Sequence, residues 1–272
     1  MSGALDDIRF LADSQHRFVA LEALASGPCS RGELRELTGA SSATVGRIAQ
    51  AFEERGWLVR DGSQYTLTSL GSFVAMRFGA LYEDMETAHR LDELLPYAPL
   101  AEVGIDVGRL TDAHVTHRTQ TNPFAVVSRV RELEFAAEEA LSLTDFFPEP
   151  CIDGRYEAIV NGDQSFEAVF TPAVVEAAMD SAAAEKFEAI VAADRTAVYV
   201  YGGDIANPVM YHDGEGCLVV RNERDVTIGM IETDDEAVVA WVLETFEAYR
   251  AEATLLSVAD LTTPLDEVLA RA

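Results

Sequence analysis

The chain has 272 residues, 49% of them hydrophobic, and 47 acids against 20 bases give a formal net charge of −27. That length and apolar content suit a globular protein of two domains, while no apolar run approaches the roughly 18 residues of a membrane span and no secretory signal is read, so the cytoplasm is the expected compartment. Three cysteines, Cys29, Cys151 and Cys217, are odd in number and far apart, which excludes a disulfide framework or a zinc site and leaves buried inert thiols as the expectation over a redox sensor.

In chain order, Asp6 to Leu24 reads as one helix, with Leu5, Ile8, Leu11, Phe18, Leu21 and Leu24 near helical spacing. His16 on it is expected to face solvent or cap a carbonyl, and Ser26-Gly27-Pro28 stops it. Ser30 and Glu33 are spaced as a capping box for a short helix whose apolar positions are Leu34 and Leu37. Thr38-Gly39-Ala40 breaks that helix. Ser41 or Ser42 can cap the next, where Val45, Ile48, Ala49 and Phe52 recur as one buried stripe. Arg55-Gly56 ends it, Trp57 to Arg60 and Gln64 to Leu67 read as strands, and Asp61-Gly62 is the tight turn between them.

Helix, turn, helix and hairpin in that order make a winged helix-turn-helix over residues 1–68, and the chemistry it serves is readout of a DNA groove. The outer face of the second helix carries Ser42, Ala43, Thr44, Gly46, Arg47 and Gln50, small or hydrogen-bonding side chains that let it approach a surface closely. Arg47 can make a bidentate contact to guanine and Gln50 to adenine, while Ser41, Ser42 and Thr44 suit phosphates. The turn Asp61-Gly62-Ser63-Gln64 has no arginine or lysine, so a phosphate clamp there rests on Arg60, Gln64 and backbone. Charge placement supports the DNA reading. Residues 1–80 hold nine acids and eight arginines, which leaves 38 acids against 12 bases, or −26, for residues 81–272.

Ser69 to Leu95 reads as a long helix, apolar through Phe73, Met76, Phe78, Leu81, Met85, Leu91 and Leu94. Within a linker set at 69–99 and closed by Pro96 and Pro99, it is a dimer seam or a strut to the next domain, or else simply packs on its own C-terminal domain. Residues 100–272 read as an α/β domain with a mixed sheet, for effector sensing or oligomerisation. Its expected helices are Val126 to Glu139, Ala173 to Val191 behind the cap Thr171-Pro172, and Asp234 to Ala253 capped by Thr233. Its expected strands are Ala140 to Phe146, Phe166 to Phe170, Thr196 to Tyr201, Val209 to His212, Cys217 to Arg221 and Val226 to Ile231. His114 and His117 would share a face only on a helix. Val115, Thr116 and Thr119 favour a strand, so no metal site is expected.

The stretches SATVGRIAQAFEERGWL and YTLTSLG resemble the winged helix of archaeal transcriptional regulators. FEAVFTPAVVEAAM, AVYVYGGD, IETDDEAVVAWVLETFEAYRAEA and LTTPLDE resemble the effector domain of FilR-type methanogenesis regulators, which is similar to the sensor domain of TrmB-type regulators. An acidic chain whose only lysine is Lys186 also resembles the proteins of extremely halophilic archaea, where carboxylates keep a hydrated surface in molar salt. The resemblance spans nearly the whole chain and implies a regulator whose second domain senses something or assembles subunits. TrmB-like sensor domains are related in fold to phospholipase D, whose chemistry needs a histidine two residues before a lysine; Ala184 stands two before Lys186, so no enzyme is expected. No cofactor is expected either.

For a small-molecule effector, polar and aromatic residues at strand ends are the default, which offers Asn122, Phe170, Thr171, Tyr201 and Tyr211. Two function classes stay open. One is a DNA-binding regulator, a homodimer through Ser69 to Leu95, whose partners are double-stranded DNA and a possible effector, with no membrane. The other is a protein-interaction adaptor whose winged helix no longer binds DNA.

Overall fold

The structure, a computed structural model, describes residues 3–270. The chain folds as two units divided between Glu86 and Thr87, inside the stretch 69–99 expected to link the domains.

The first unit opens with α1 (Ala4–Ala12) and α2 (Gln15–Ser26). The single helix expected from Asp6 to Leu24 is therefore two. Asp13 caps the first, and Ser14, in an extended conformation at φ −155°, starts the second. Leu5 and Ile8, expected in the core stripe, are exposed as a result, while Leu11, Phe18, Leu21 and Leu24 are buried. His16 caps a carbonyl: its Nδ1 lies 2.9 Å from the oxygen of Thr38. A short β1 (Cys29–Ser30), not expected from the sequence, leads into α3 (Arg31–Thr38). The Ser30 and Glu33 capping box is present, and Gly39 ends the helix in the left-handed region at φ +66°. Leu34 is buried and Leu37 exposed, because an eight-residue helix turns only one row inward.

In α4 (Ser42–Glu54), Val45, Ile48, Ala49 and Phe52 all face the core, where Phe52 meets Trp57 and Phe10. Gly56 at φ +71° turns the chain into β2 (Leu58–Asp61), and Gly62 at φ +58° turns it back into β3 (Gln64–Leu67). The three strands pair in the order β1-β3-β2. Thr68 then holds α5 (Ser69–Leu91), accepting from the amide of Gly71 at 3.0 Å while its own amide donates to Trp57. Val74, Ala75 and Phe78 on α5 join the first unit's core, and the helix ends at Leu91 rather than Leu95.

The second unit is built on an eight-stranded sheet in the order β11-β7-β6-β5-β8-β9-β10-β4. In chain order its elements begin with β4 (His114–His117), α6 (Ala125–Ala136), β5 (Glu139–Thr144), α7 (Glu149–Val160) and β6 (Ser165–Phe170). They continue with α8 (Pro172–Met179), α9 (Ala184–Ala192), β7 (Thr196–Val200), β8 (Val209–His212) and β9 (Glu215–Arg221). β10 (Thr227–Thr233), α10 (Glu236–Ala251), β11 (Thr254–Leu255) and α11 (Leu265–Leu269) complete it. β5, β6 and β7 run parallel, joined by helical crossovers, and all other pairs are antiparallel.

Three local readings change. The helix expected over Ala173 to Val191 breaks after Met179, where Ser181 ties its hydroxyl to the carbonyl of Ala178 and to the amide of Ala183. α10 is capped by Asp235, whose Oδ1 accepts from Ala237 and Val238, while Thr233 accepts from the amide of Asp235. α7 was not anticipated at all: its sequence EPCIDGRYEAIV buries Arg155 among its apolar positions, which masks the helical stripe.

Strand alternation divides the second unit's interior. One face of the sheet packs Leu143, Val169, Leu218 and Ile231 under α10 with Val238, Val242 and Phe246, and Leu91 and Leu94 belong to this core. The other carries α7, α8 and α9 over β5–β7, and α6 over Met210, Cys217 and Met230.

Candidate functional site

The outer face of α4 is assembled as an exposed polar surface. Ser41 is the N-cap, its hydroxyl accepting from the amide of Thr44 at 3.1 Å and lying 3.0 Å from the Thr44 hydroxyl. Capping frees the side chain of Ser42, which is exposed with Ala43, Arg47 and Gln50. Arg47 folds back 3.3 Å from the Thr44 hydroxyl, and Gln50 donates to Glu54 at 2.9 Å. These weak surface contacts leave both side chains able to turn outward. At the wing, Arg60 donates to the carbonyl of Gly62 at 3.1 Å and lies over the Tyr65 ring, with Gln64 exposed at the turn.

Arg31 belongs to this surface and was not foreseen. Its guanidinium donates to the carbonyl of Ser42 at 2.6 and 3.1 Å and lies across Gly46, where any side chain would collide with it. The signal was Gly46 itself, since a glycine inside a helix costs about 1 kcal/mol against alanine and marks a close approach. Two other arginines of the unit are spent on structure. Arg55 pairs with Asp7 at 3.0 Å and stacks on Phe10, and Arg17 donates to the Phe10 carbonyl at 2.6 Å.

The second unit contains a cavity of about 520 Å³ between α6, the start of α7 and the sheet. Its walls are apolar: Val126, Val127, Val130, Phe147, Met210 and Val219. It opens at the carboxyl end of β5, where the parallel strands give way to antiparallel ones, and Phe124, Phe146 and Val226 stand exposed around the mouth. Beside the mouth Arg221 is paired with Asp145 and, at 3.2 Å, with Asp225.

Two polar atoms at the inner wall have no partner among the described residues, Oγ of Ser142 and Oε2 of Glu134; the residues are 1% and 2% exposed. The other oxygen of Glu134 accepts from Arg155 at 2.8 Å, and Arg155 also donates to Gln164 at 2.6 Å and lies over the Phe166 ring. Burial raises the Glu134 carboxyl above its usual range against the pull of Arg155. Burial likewise pushes the Cys151 thiol up to about 12 and holds His212 down to about 3. Cys29 and Cys217 are raised too, so all three thiols are buried and poorly ionised.

The five residues named for an effector do not come together. Phe170 is core, Thr171 caps α8, and Tyr201 and Tyr211 pack on the α10 face, Tyr201 edge-on to Tyr249 at 4.9 Å. Asn122 is exposed before Pro123. None of the five lines the cavity. Legible signals for the cavity were Glu134 as the third member of the row Val126, Val130, Glu134, and Ser142 between Leu141 and Leu143. His114 and His117 lie on β4 as a strand, with His117 on the carbonyl of Arg90 at 2.9 Å and His114 3.9 Å from Glu232. Among the described residues no cluster could hold a metal ion, and no helix is long and apolar enough to cross a membrane.

Residues 5–90 match the HVO_A0261 N-terminal domain, and residues 123–252 match the middle domain of the methanogenesis regulatory protein FilR1. The two matched segments, in that order, cover most of the chain. The α4 surface lies within the first matched segment, and the cavity is lined chiefly by residues of the second. Among solved structures, the archaeal chromatin protein TrmBL2, described as showing a novel mode of DNA binding, is 16% identical with a TM-score of 0.43 over 90% of this chain and 97% of that one. A MarR family protein of Mycobacterium tuberculosis is 20% identical with a TM-score of 0.29 over 32% and 67%. Nuc, a phospholipase D family member of Salmonella typhimurium, is 9% identical with a TM-score of 0.41 over 53% and 97%. No curated protein matches the chain.

Proposed function

We propose that this protein is a sequence-specific transcriptional regulator that reads double-stranded DNA with the outer face of α4 and acts as a homodimer. The observation that carries the reading is that face: Ser42, Ala43, Arg47 and Gln50 are exposed on a helix whose opposite side is fully buried, in a segment spared the acidity of the remaining chain. Arg47 and Gln50 would meet base edges, and the hydroxyls of Ser42 and Thr44 with Arg31, Arg60 and Gln64 would meet phosphates. Self-association is supported by α5, where Leu70, Phe73, Met76, Leu81 and Met85 are all exposed, Phe73 by 54% and Met76 by 58%. A second copy would cover this stripe and set two recognition helices at a fixed spacing. The second unit would then control that spacing in response to an effector.

Selection of bound duplexes from a random pool at about molar KCl, run beside Arg47→Ala, tests the reading; ionic strength must be fixed because affinity depends steeply on it. The expected result is an enriched motif that the variant loses. No enrichment by a folded protein would leave the adaptor reading, which one observation favours: Arg60 folds onto its own turn and no other base stands at the wing tip. A Phe73→Glu, Met76→Glu double variant is expected to sediment as a monomer; an unchanged sedimentation coefficient removes α5 as the seam.

A further inference from the structure

We infer that the cavity between α6 and α7 is the effector site, and that it takes an uncharged, largely aromatic or branched-hydrocarbon small molecule carrying one N–H or O–H donor. The effector role rests on the regulator reading above; the binding site does not.

Size and enclosure come first. About 520 Å³ lies within the range of small-molecule sites, and apolar walls with a few convergent polar atoms are their usual composition. The polar atoms settle the orientation. Ser142 and Glu134 are buried at the inner wall, and each leaves an oxygen without a partner there. A buried polar atom left unpaired is costly, so it is uncommon without something that satisfies it. Oε1 of Glu134 is held by Arg155, which fixes the carboxylate and leaves Oε2 as the unpartnered acceptor. A ligand reaching both oxygens must present a hydrogen, which Ser142 can complement by accepting or by donating.

Charge excludes most ions. The carboxylates that line the cavity are Glu134, Asp145 and Asp225, and each is paired with Arg155 or Arg221. Arg118, at the mouth, is exposed and solvated. A charged group carried to the inner end would lose its hydration without gaining an unspent counter-charge there, since Arg118 stands at the mouth. The exposed rings of Phe124 and Phe146, 69% and 60% accessible, give the mouth an apolar rim that such a ligand would cover.

The test is fluorescence titration of the full chain with N-phenyl-1-naphthylamine, an uncharged aromatic amine with one N–H. Its N-methyl analogue lacks the donor, and 1-anilino-8-naphthalenesulfonate is a related aromatic amine carrying a negative charge. Saturable one-site binding is expected, weaker by about tenfold for the N-methyl analogue, in line with the loss of one hydrogen bond to a buried group, and weaker again for the sulfonate. Val127→Trp fills the cavity and should abolish binding. Ser142→Ala is the milder variant: it should fold, melt no lower than the parent, and narrow the gap between the amine and its N-methyl analogue. Absence of saturable binding, equal binding by Val127→Trp with its fold confirmed by circular dichroism, or preference for the sulfonate would each overturn the proposal. DNA affinity with and without the amine is read separately. A bound amine that leaves it unchanged overturns the effector role while the site stands, and failure to bind DNA at all strikes the regulator reading alone.

Discussion

The two units of this chain spend polarity in opposite places. In the winged unit the core is apolar, built on Leu11, Leu34, Ile48, Phe52 and Trp57, and the hydrogen-bonding side chains of α4 point outward on a nearly neutral segment. The sheet unit carries almost all of the chain's net charge outside, yet buries Arg155, Glu134, Gln164, His212, Ser142 and Glu232. A surface that meets a partner needs groups that are solvated until contact. An enclosed site needs groups that are already desolvated and aimed. The contrast fits a reader of a large polyanion joined to a receptor for a small apolar molecule.

The contrast breaks most sharply at Glu134. Replacing it by Ala leaves Arg155 charged and unpaired in the interior, and should cost about 3–5 kcal/mol of unfolding free energy, while Glu134→Leu with Arg155→Met should recover most of it. Denaturant melts of the three proteins in molar KCl measure this. Equal stability of Glu134→Ala and the parent would mean that the pair is solvated and the sheet unit no different from the winged one.

A pH scan comes next. His212 is held down to about 3 by burial, then by Arg155, so between its ordinary value near 6.5 and about 3 the unfolded chain binds a proton that the native protein refuses. Stability contributed by the neutral ring is therefore complete above pH 6.5 and falls as pH drops through that window, by on the order of a few kcal/mol. In His212→Gln the same scan should be flatter by about one proton; an unchanged slope would place the histidine in solvent.

On the winged side the effects should appear in binding. Arg47→Ala is expected to lose about 1–3 kcal/mol of affinity for its preferred site and relax specificity at one position, with stability altered by less than about 0.5 kcal/mol. Filter binding and a thermal melt give the two numbers, and a large loss of stability with unchanged selectivity would reverse the assignment. Ser41→Ala is the smallest change, about 1 kcal/mol of stability from one lost cap.

How far the sequence reads differs between the units for the same physical reason. The winged unit follows from short-range rules. The Ser30–Glu33 box, the Ser41 cap, the Val45-to-Phe52 stripe and the turn at Gly62 are each set by neighbours within a few positions, and each is present as read. Where the reading slipped there, at Asp13-Ser14 and Leu37, propensity lost to a local break or to a helix too short to bury both rows. In the sheet unit, strand and helix positions were legible from periodicity, but α7 was hidden by its buried Arg155.

What the sequence by itself determined is the order of elements, the exposed polar face of α4 and the segregation of charge, because caps, periods and residue identities are local facts. Only the tertiary structure decided the cavity. Glu134, Ser142 and Phe147 come from a helix, a strand and the loop before the next helix, and meet because β5 pairs with β6 on one side and β8 on the other while α6 and α7 leave a gap above them. No spacing along the chain encodes that meeting, and Arg31 reaches across Gly46 for the same reason.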